Sequence, residues 1–220
     1  MSDQKQQVKE AVIVALAEYA DAPLRLHGFI RRASTVRYSR ALPESTQSID
    51  IGLEHSPRDN LHAAAVLYPW LTVVIPSVER VVVEMSGGDL AMTAGSASTL
   101  RQPIELVSPK GTGARWFLYQ PDSVAAAVQS TVEYFQKWLL PFLDMYSSPR
   151  QLLLMDEESG DRVLHDTNQF LRVIAAAVLC NDCGVAKKLL DSKFGRPAMR
   201  RRFAAVFDYV EKEARRPLSS

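Results

Sequence analysis

The residues from Arg115 to Leu143 constrain the fold more than any other part of the chain. They open with an aromatic segment, Trp116 to Tyr119, which is typical of a β-strand, and then pass into a long amphipathic pattern. Its apolar residues recur every three or four positions, the period of one face of an α-helix: Val124, Val128, Val132, Phe135, Leu139 and Phe142. We expect Asp122 to cap this helix and Pro141 to kink or end it, because proline has no N–H to donate and its ring collides with the preceding turn. The segment therefore joins a strand-rich half of the chain to a helical half.

Several segments before this helix have the pattern of β-strands. Gln47 to His55 is the clearest, since apolar and polar residues alternate along it as they do in a sheet with one buried face. Phe29 to Arg40 predicts two short strands joined by a turn near Ala33 to Thr35. Val66 to Ile75 is β-branched toward its end, but Pro69 interrupts it, so we expect that strand to begin at Trp70.

Arg101 to Val107 alternates around Ile104 and Leu106 and predicts a further strand. With Trp116 to Tyr119 this makes five or six strands, close together in sequence and without alternating helices. That order favours an antiparallel sheet.

Helical patterns lie on both sides of the strands. Residues 3 to 20 form an amphipathic helix that we expect Pro23 to stop, and a short helix capped by Ser77 follows Pro76 and ends at Gly87-Gly88. Asp89 to Thr99 reads as a polar loop. Three helices are predicted after Leu143, beginning at the capping box Asp166-x-x-Gln169, at Asp182 and at Pro197.

These patterns predict an α+β fold in which an antiparallel sheet of about five strands packs against helices and a C-terminal helical subdomain follows. We place the sheet-and-helix part at residues 1–146 and the helical part at residues 147–220, packed together as one unit. The candidate linkers are Ser147-Ser148-Pro149 and the acidic segment Asp156 to Asp161.

Composition excludes several classes of protein. With 47% hydrophobic residues in 220, the chain can bury a substantial core, so it is neither disordered nor fibrous. The formal net charge is only +1, which gives no global attraction to nucleic acid. We find no secretory signal and no apolar run of about 18 residues, and we therefore expect a cytoplasmic protein without a membrane segment.

Charge is nevertheless distributed unevenly. Gly184 to Ser220 holds 10 basic and 4 acidic residues, whereas the whole chain holds 26 and 25. The preferred interpretation of this basic region is a solvated face, and it could also dock on the acidic remainder of the chain or on a partner. For a partner, we take five of these basic residues as the candidate surface: Lys187, Lys188, Arg196, Arg200 and Arg201. Nucleic acid is disfavoured as the partner, because the three consecutive arginines from Arg200 to Arg202 spread over about 200° of a helix and cannot all enter one groove.

No motif predicts catalytic, cofactor-binding or metal-binding residues. Cys180-x-x-Cys183 has the spacing of a redox pair or of half a zinc site, but Cys180 falls at the end of one helix, so a structural elbow between two helices is the preferred interpretation. Of the histidines, at positions 27, 55, 62 and 165, only His55 and His62 are spaced as metal ligands could be, and surface loop residues are the preferred interpretation. No G-x-S-x-G or phosphate-loop motif occurs. We interpret Trp70, Trp116 and Trp138 as core or layer-junction residues rather than as binding platforms.

The order of elements over three stretches, Leu26 to Arg40, Ile49 to Leu53 and Trp116 to Phe142, resembles that of a group of bacterial proteins known only as a domain of unknown function. In that group a helix precedes a Gly-Phe entry into a strand pair, further strands, a Trp-bearing strand and a helix ending in Leu-Pro-aromatic. The similarity spans roughly the whole chain. It implies an α+β fold and a bacterial origin, and, since similar families include suspected immunity proteins, a protein-binding role without catalytic residues.

Three functional hypotheses follow. The first is a non-enzymatic protein-binding module that uses the exposed sheet face or the basic helical end. The second is a small-molecule-binding protein or enzyme with a site between sheet and helices, which predicts that two or more of four dispersed residues meet in a pocket: Arg31, Asp50, His55 and Glu105. Nucleic-acid binding is the third and predicts salt-sensitive retention.

Overall fold

The computed structural model describes the backbone of residues 2–88, 98–110, 112–120, 122–158 and 166–216, and the side chains of these residues except 2–5 and 155–158. The predicted loop from Asp89 to Thr99 lies mostly outside the described residues. Pro121, His165 and the end of the predicted acidic linker, residues 159–161, also lie outside them.

The strands are β1 Ile30–Arg31, β2 Arg37–Ala41, β3 Thr46–His55, β4 Ala65–Val74, β5 Leu100–Pro103 and β6 Trp116–Leu118. The α-helices are α1 Ser2–Ala15, α2 Asp21–Leu26, α3 Pro76–Met85, α4 Ser123–Tyr134, α5 Leu140–Asp144, α6 Pro149–Glu158, α7 Thr167–Leu179, α8 Cys183–Phe194, α9 Pro197–Arg202 and α10 Ala204–Ala214. Leu16–Ala20 and Phe135–Leu139 are π-helical, and Ile104–Val107 is a 3₁₀-helix.

The chain divides into two compact units, each made of two segments. The sheet unit comprises Met1–Val73 and Arg101–Asp144, and the helical unit comprises Val74–Leu100 and Met145–Ser220. The single division predicted between residues 146 and 147 stays a prediction; in the compact units α3 is grouped with the C-terminal helices.

The sheet is open and antiparallel, which confirms the predicted α+β class. Strands β1 to β5 lie side by side in sequence order, and β6 pairs with β4. The register places Tyr38 opposite Ile49 and Ala65 opposite Leu118. One face of the sheet is buried through Tyr38, Ile49, Ile51, Leu67 and Leu71. Helices α1 and α4 pack on each other, and α4 packs on β6.

Strand β4 runs without interruption through Pro69, so the prediction that it begins at Trp70 was wrong. Its ladder to β6 ends at Leu67, before the proline. On the neighbouring strand, Gly52 lies so close to β4 that an added Cβ would be 2.8 Å from the Tyr68 carbonyl oxygen. Glycine therefore occupies the position where the backbones of β3 and β4 come closest, because a side chain there would overlap with Tyr68.

Two prolines lie inside helices, although Pro23 was expected to stop a helix and Pro141 to kink or end one. Pro23 is in α2 and Pro141 is in α5, and each follows a π-helical segment. In these segments an N–H bonds to the carbonyl five residues back, as Asp21 does to Leu16 and Leu140 to Phe135. The wider turn gives the proline ring room beside the carbonyl four residues earlier, and the helix continues.

The apolar stripe of the central helix packs as predicted. All six of its side chains are buried: Val124, Val128, Val132, Phe135, Leu139 and Phe142. The expected cap is wrong, because Asp122 has helical dihedral angles and its side chain makes no capping hydrogen bond. Ser123 Oγ instead accepts hydrogen bonds from the N–H groups of Tyr119 and Gln120, at 3.2 and 3.3 Å.

The strand predicted from Arg101 to Val107 is only half correct, because β5 ends at Pro103 and a 3₁₀-helix follows. The Tyr134 hydroxyl donates to the Ile104 carbonyl at 2.8 Å and binds Ser108 Oγ at the same distance. These bonds from α4 hold the segment in its turned conformation.

In the helical unit, α3 buries Val78, Val81, Val82 and Met85 and packs on α7 and α10. Its start differs from the prediction, since Pro76 is the first helical residue and Ser77 is not its cap. Gly87 and Gly88 follow with positive φ, as expected of residues that end a helix.

The C-terminal helices begin as predicted at all three positions, Pro197 being the first residue of α9. Asp166 accepts from the Gln169 N–H at 2.7 Å and Asp182 from the Val185 N–H at 3.0 Å. Helix α6 was not predicted; it starts at the proposed linker Ser147-Ser148-Pro149, where Ser148 Oγ accepts from the Gln151 N–H. The last helix, predicted as one, is broken at Phe203 into α9 and α10.

Candidate functional site

The basic residues selected from the sequence lie on α8 and α9 of the helical unit. We call Lys187, Lys188, Arg196, Arg200 and Arg201 the basic surface; all five are exposed. Arg196 lies one turn before Arg200, whose N–H bonds to its carbonyl at 2.8 Å, so these two side chains share a face.

A cleft of about 100 Å³ opens within this surface, where α8 packs on α10. Its lining is Lys187, Leu190, Asp191, Arg200, Phe207, Val210 and Glu211. Leu190, Phe207 and Val210 are buried and contribute an apolar floor. The cleft thus combines an apolar floor with charged side chains.

Each carboxylate at the cleft already has a cation beside it. Asp191 is 3.6 Å from Arg200, and Glu211 is 3.5 Å from Arg215. The Arg200 guanidinium also lies 4.5 Å from the centroid of the Phe207 ring, so a cation–π contact holds it at the cleft. Among the described residues, no carboxylate lies within 4.0 Å of Lys187. The lining therefore holds two cations and two carboxylates, and Lys187 is the one of these four groups that has no opposite charge within that distance among the described residues.

Neighbouring basic side chains lie on aromatic rings. Lys193 Nζ is 4.3 Å from the centroid of Phe170, and the Arg202 guanidinium is 5.4 Å from that of Phe203. Phe203 in turn packs on Phe194, with ring centroids 4.5 Å apart. The three consecutive arginines point in different directions, in keeping with the spread expected on a helix.

Sequence reasoning missed the other groups of this cleft. Asp191 lies one helical turn after Lys187, and Phe207 lies four residues after Phe203, in the last predicted helix. Residues four positions apart lie on the same face of a helix. This spacing from Lys187 and from Phe203 could have pointed to Asp191 and Phe207 in the sequence. Glu211 comes from the turn after Phe207 and carried no signal of its own.

Cys180 and Cys183 lie in an elbow between two helices, the preferred interpretation. Cys180 ends α7, Asn181 takes a left-handed conformation with φ of 58°, and Cys183 begins α8. Both cysteines are half-buried, and no disulfide joins them. Among the described residues, no group of three or more His, Cys, Asp or Glu side chains is arranged to hold a metal ion.

The four residues of the alternative hypothesis have separate surroundings. Arg31 pairs with Asp21 at 2.8 Å, Asp50 with Arg37 at 3.3 Å and Glu105 with Arg115 at 3.0 Å. Within the described ranges, no hydrogen bond or ion pair joins Arg31, Asp50 and Glu105 to one another. The hypothesis of a site between sheet and helices stays a prediction.

Arg31 belongs to a polar cluster that fixes the sheet unit. Its guanidinium binds both oxygens of Asp21 and the carbonyls of Ala33 and Thr35, and the Tyr38 hydroxyl donates to Asp21 at 2.6 Å. Desolvation would raise the pKa of Asp21, but the hydrogen bonds from Arg31 and Tyr38 outweigh it and hold that pKa below its ordinary value. The cluster ties α2 to the β1–β2 hairpin.

The three tryptophans are half-buried. Trp116 donates to Ser130 Oγ at 2.9 Å and meets the edge of the Tyr134 ring, while Trp70 lies beside Arg101.

Across the part of the chain that the structure describes, no helix is both long and apolar enough to cross a membrane.

Comparison with known proteins adds no relative. No family model, no curated protein and no solved structure matches this chain.

Proposed function

We propose that this chain is a non-enzymatic, cytoplasmic protein-binding module whose basic surface binds an acidic segment of another protein. The observation that carries the proposal is the exposure of five cations on α8, on α9 and at Arg196 just before α9, two of which line a cleft with an apolar floor. Within the described ranges, only Arg200 of the five lies within 4.0 Å of a carboxylate. The other four are free to pair with a partner.

The setting of these cations favours protein over nucleic acid as the partner. Arg200 to Arg202 diverge, two of them lie on aromatic rings, and a formal net charge of +1 gives little long-range attraction to a polyanion. The resemblance to bacterial immunity-type families supports the same class, with a toxin protein as the partner.

A charge-reversal experiment tests the proposal. The variant Lys187→Glu/Arg196→Glu/Arg201→Glu reverses three cations of the basic surface. The control Arg32→Glu/Arg58→Glu/Arg80→Glu makes the same change in net charge at three exposed positions elsewhere. We expect affinity capture from native lysate to recover an acidic protein with the wild type and with the control, and to lose it with the first variant.

Circular dichroism of each variant checks that the fold is retained. The proposal is wrong if both triple variants retain the same proteins as the wild type, or if repeated capture by the wild type recovers no protein at all.

A further inference from the structure

The cleft between α8 and α10 has the size of a small side chain. A cavity of about 150 Å³ binds one benzene, whereas this cleft measures about 100 Å³. An aromatic ring or a nucleobase is therefore too large to enter fully. The end of an aliphatic or carboxylate side chain fits.

The charged residues that line the cleft determine which kind of side chain is favoured there. Lys187 and Arg200 line the cleft, Asp191 and Glu211 are each within 4.0 Å of an arginine, and Lys187 has no carboxylate within that distance among the described residues. An entering cation would find both carboxylates already beside an arginine, and an apolar group would leave Lys187 without an opposite charge. A carboxylate is the group that the charges favour.

The apolar floor of the cleft favours glutamate over aspartate as the entering residue. Leu190, Phe207 and Val210 are at most 8% exposed and present apolar surface below the cations. Glutamate has one more methylene than aspartate to place against that floor, and burying one methylene is worth about a fourfold gain in affinity.

We infer that this cleft binds the side-chain carboxylate of a glutamate from the acidic partner. Lys187 and Arg200 hold the carboxylate, and the apolar floor contacts the methylenes. This inference rests on the proposed function and specifies which residue of the partner is recognised.

Fluorescence polarisation with two labelled probes, octaglutamate and octaaspartate, tests it on the full chain at low salt. We expect octaglutamate to bind about fourfold more tightly than octaaspartate. Lys187→Gln should weaken octaglutamate binding about tenfold, because a charge-assisted hydrogen bond is lost. Lys188→Gln is the matched control, since Lys188 is the next residue of α8 but does not line the cleft. It should weaken binding no more than about twofold, the effect of one exposed charge.

Equal losses in Lys187→Gln and Lys188→Gln would overturn the cleft assignment. If the triple variant Lys187→Glu/Arg196→Glu/Arg201→Glu still abolished binding in that case, the basic surface would stand without the cleft. Equal affinity for the two peptides would overturn the preference for glutamate. Absence of binding by either peptide would overturn the inference as a whole, while the capture experiment decides the proposed function separately.

Discussion

Arg172 and Glu79 form an ion pair with little exposure to solvent. Arg172 Nε and Nη2 donate to the two carboxylate oxygens at 2.9 and 3.2 Å, and the side chains are 9% and 18% exposed. We expect Arg172→Met to lower the free energy of unfolding by about 3 kcal/mol, because the change leaves Glu79 as an uncompensated charge. Urea denaturation measures this loss.

Two variants accompany that measurement. The double variant Glu79→Leu/Arg172→Met removes both charges and should recover most of the loss. Arg215→Met breaks a pair whose side chains are 81% and 51% exposed and should cost less than about 1 kcal/mol. A double variant no more stable than the single one would contradict the ion-pair explanation.

Tyr209 makes the stability of the helical unit depend on pH in the alkaline range. Burial and then the hydrogen bond to Glu84, 3.0 Å long, raise the pKa of Tyr209 to about 12. The unfolded chain releases this proton near pH 10, about the ordinary tyrosine pKa. The contribution of Tyr209 to stability is therefore complete below about pH 10 and is lost as the pH rises toward about 12.

Unfolding free energies of the wild type and of Tyr209→Phe, measured from pH 9 to pH 12, check this expectation. The stability advantage of the wild type over the variant should shrink as the pH rises. A constant difference across the range would show that Tyr209 has an ordinary pKa.

At the residue scale, sequence predicted the exposed cations but not what surrounds them. Lys187 and Arg200 can be identified as cations from the sequence alone. Their contacts with Asp191 and Phe207 depend on how α8 packs on α10, which local patterns do not specify. The same holds for Arg172, whose partner Glu79 is 93 residues away.

Strands β3 and β4 approach each other most closely at Gly52. A Cβ at this position would lie 2.8 Å from the Tyr68 carbonyl oxygen and 3.0 Å from two atoms of its ring. We expect Gly52→Ala to lower the free energy of unfolding by about 1–3 kcal/mol, because backbone must shift to relieve the overlap. Thermal and urea denaturation both report this change.

Gly113→Ala is the matched control, since an added Cβ there meets no atom within 4 Å. It should be neutral or slightly stabilising, because alanine reduces the conformational freedom of the unfolded chain. Equal effects of the two substitutions would rule out the close approach as the cause.

The start of a helix was predictable where a side chain accepts a hydrogen bond from a backbone N–H in the first turn of that helix, as the side chains of Asp166 and Asp182 do. Element ends were not predictable at Pro23 and Pro141. The rule that proline breaks a helix assumes an α-helical turn before it, and both prolines follow π-helical turns. No residue in Leu16–Ala20 or Phe135–Leu139 marks those turns in the sequence.

At the scale of the whole molecule, α3 is separated from its packing partners along the chain. It packs on α7 and α10, which both lie after residue 146. A fragment of residues 1–146, the predicted first part, would leave the apolar face of α3 without these partners. We expect that fragment to bind the hydrophobic dye ANS strongly and the full chain to bind it weakly.

The variant fragment with Val78→Ser and Val82→Ser, two residues buried in the full chain, is the control. Its dye binding should fall well below that of the unsubstituted fragment. Weak dye binding by the unsubstituted fragment would show that residues 1–146 cover α3 by themselves and would favour the division predicted from sequence. The sequence placed that division where strands give way to helices, but the grouping of α3 depends on contacts distant in the chain.

The pairing of Glu79 with Arg172 has a consequence for biosynthesis. Glu79 leaves the ribosome 93 residues before Arg172, which at ordinary translation rates is a delay on the order of 5 to 20 s. During most of that interval α3 has none of its later partners, and the sheet unit has all of its residues only once Asp144 has been made. The nascent chain therefore exposes one apolar helix for seconds, which makes α3 the segment where a chaperone would engage it.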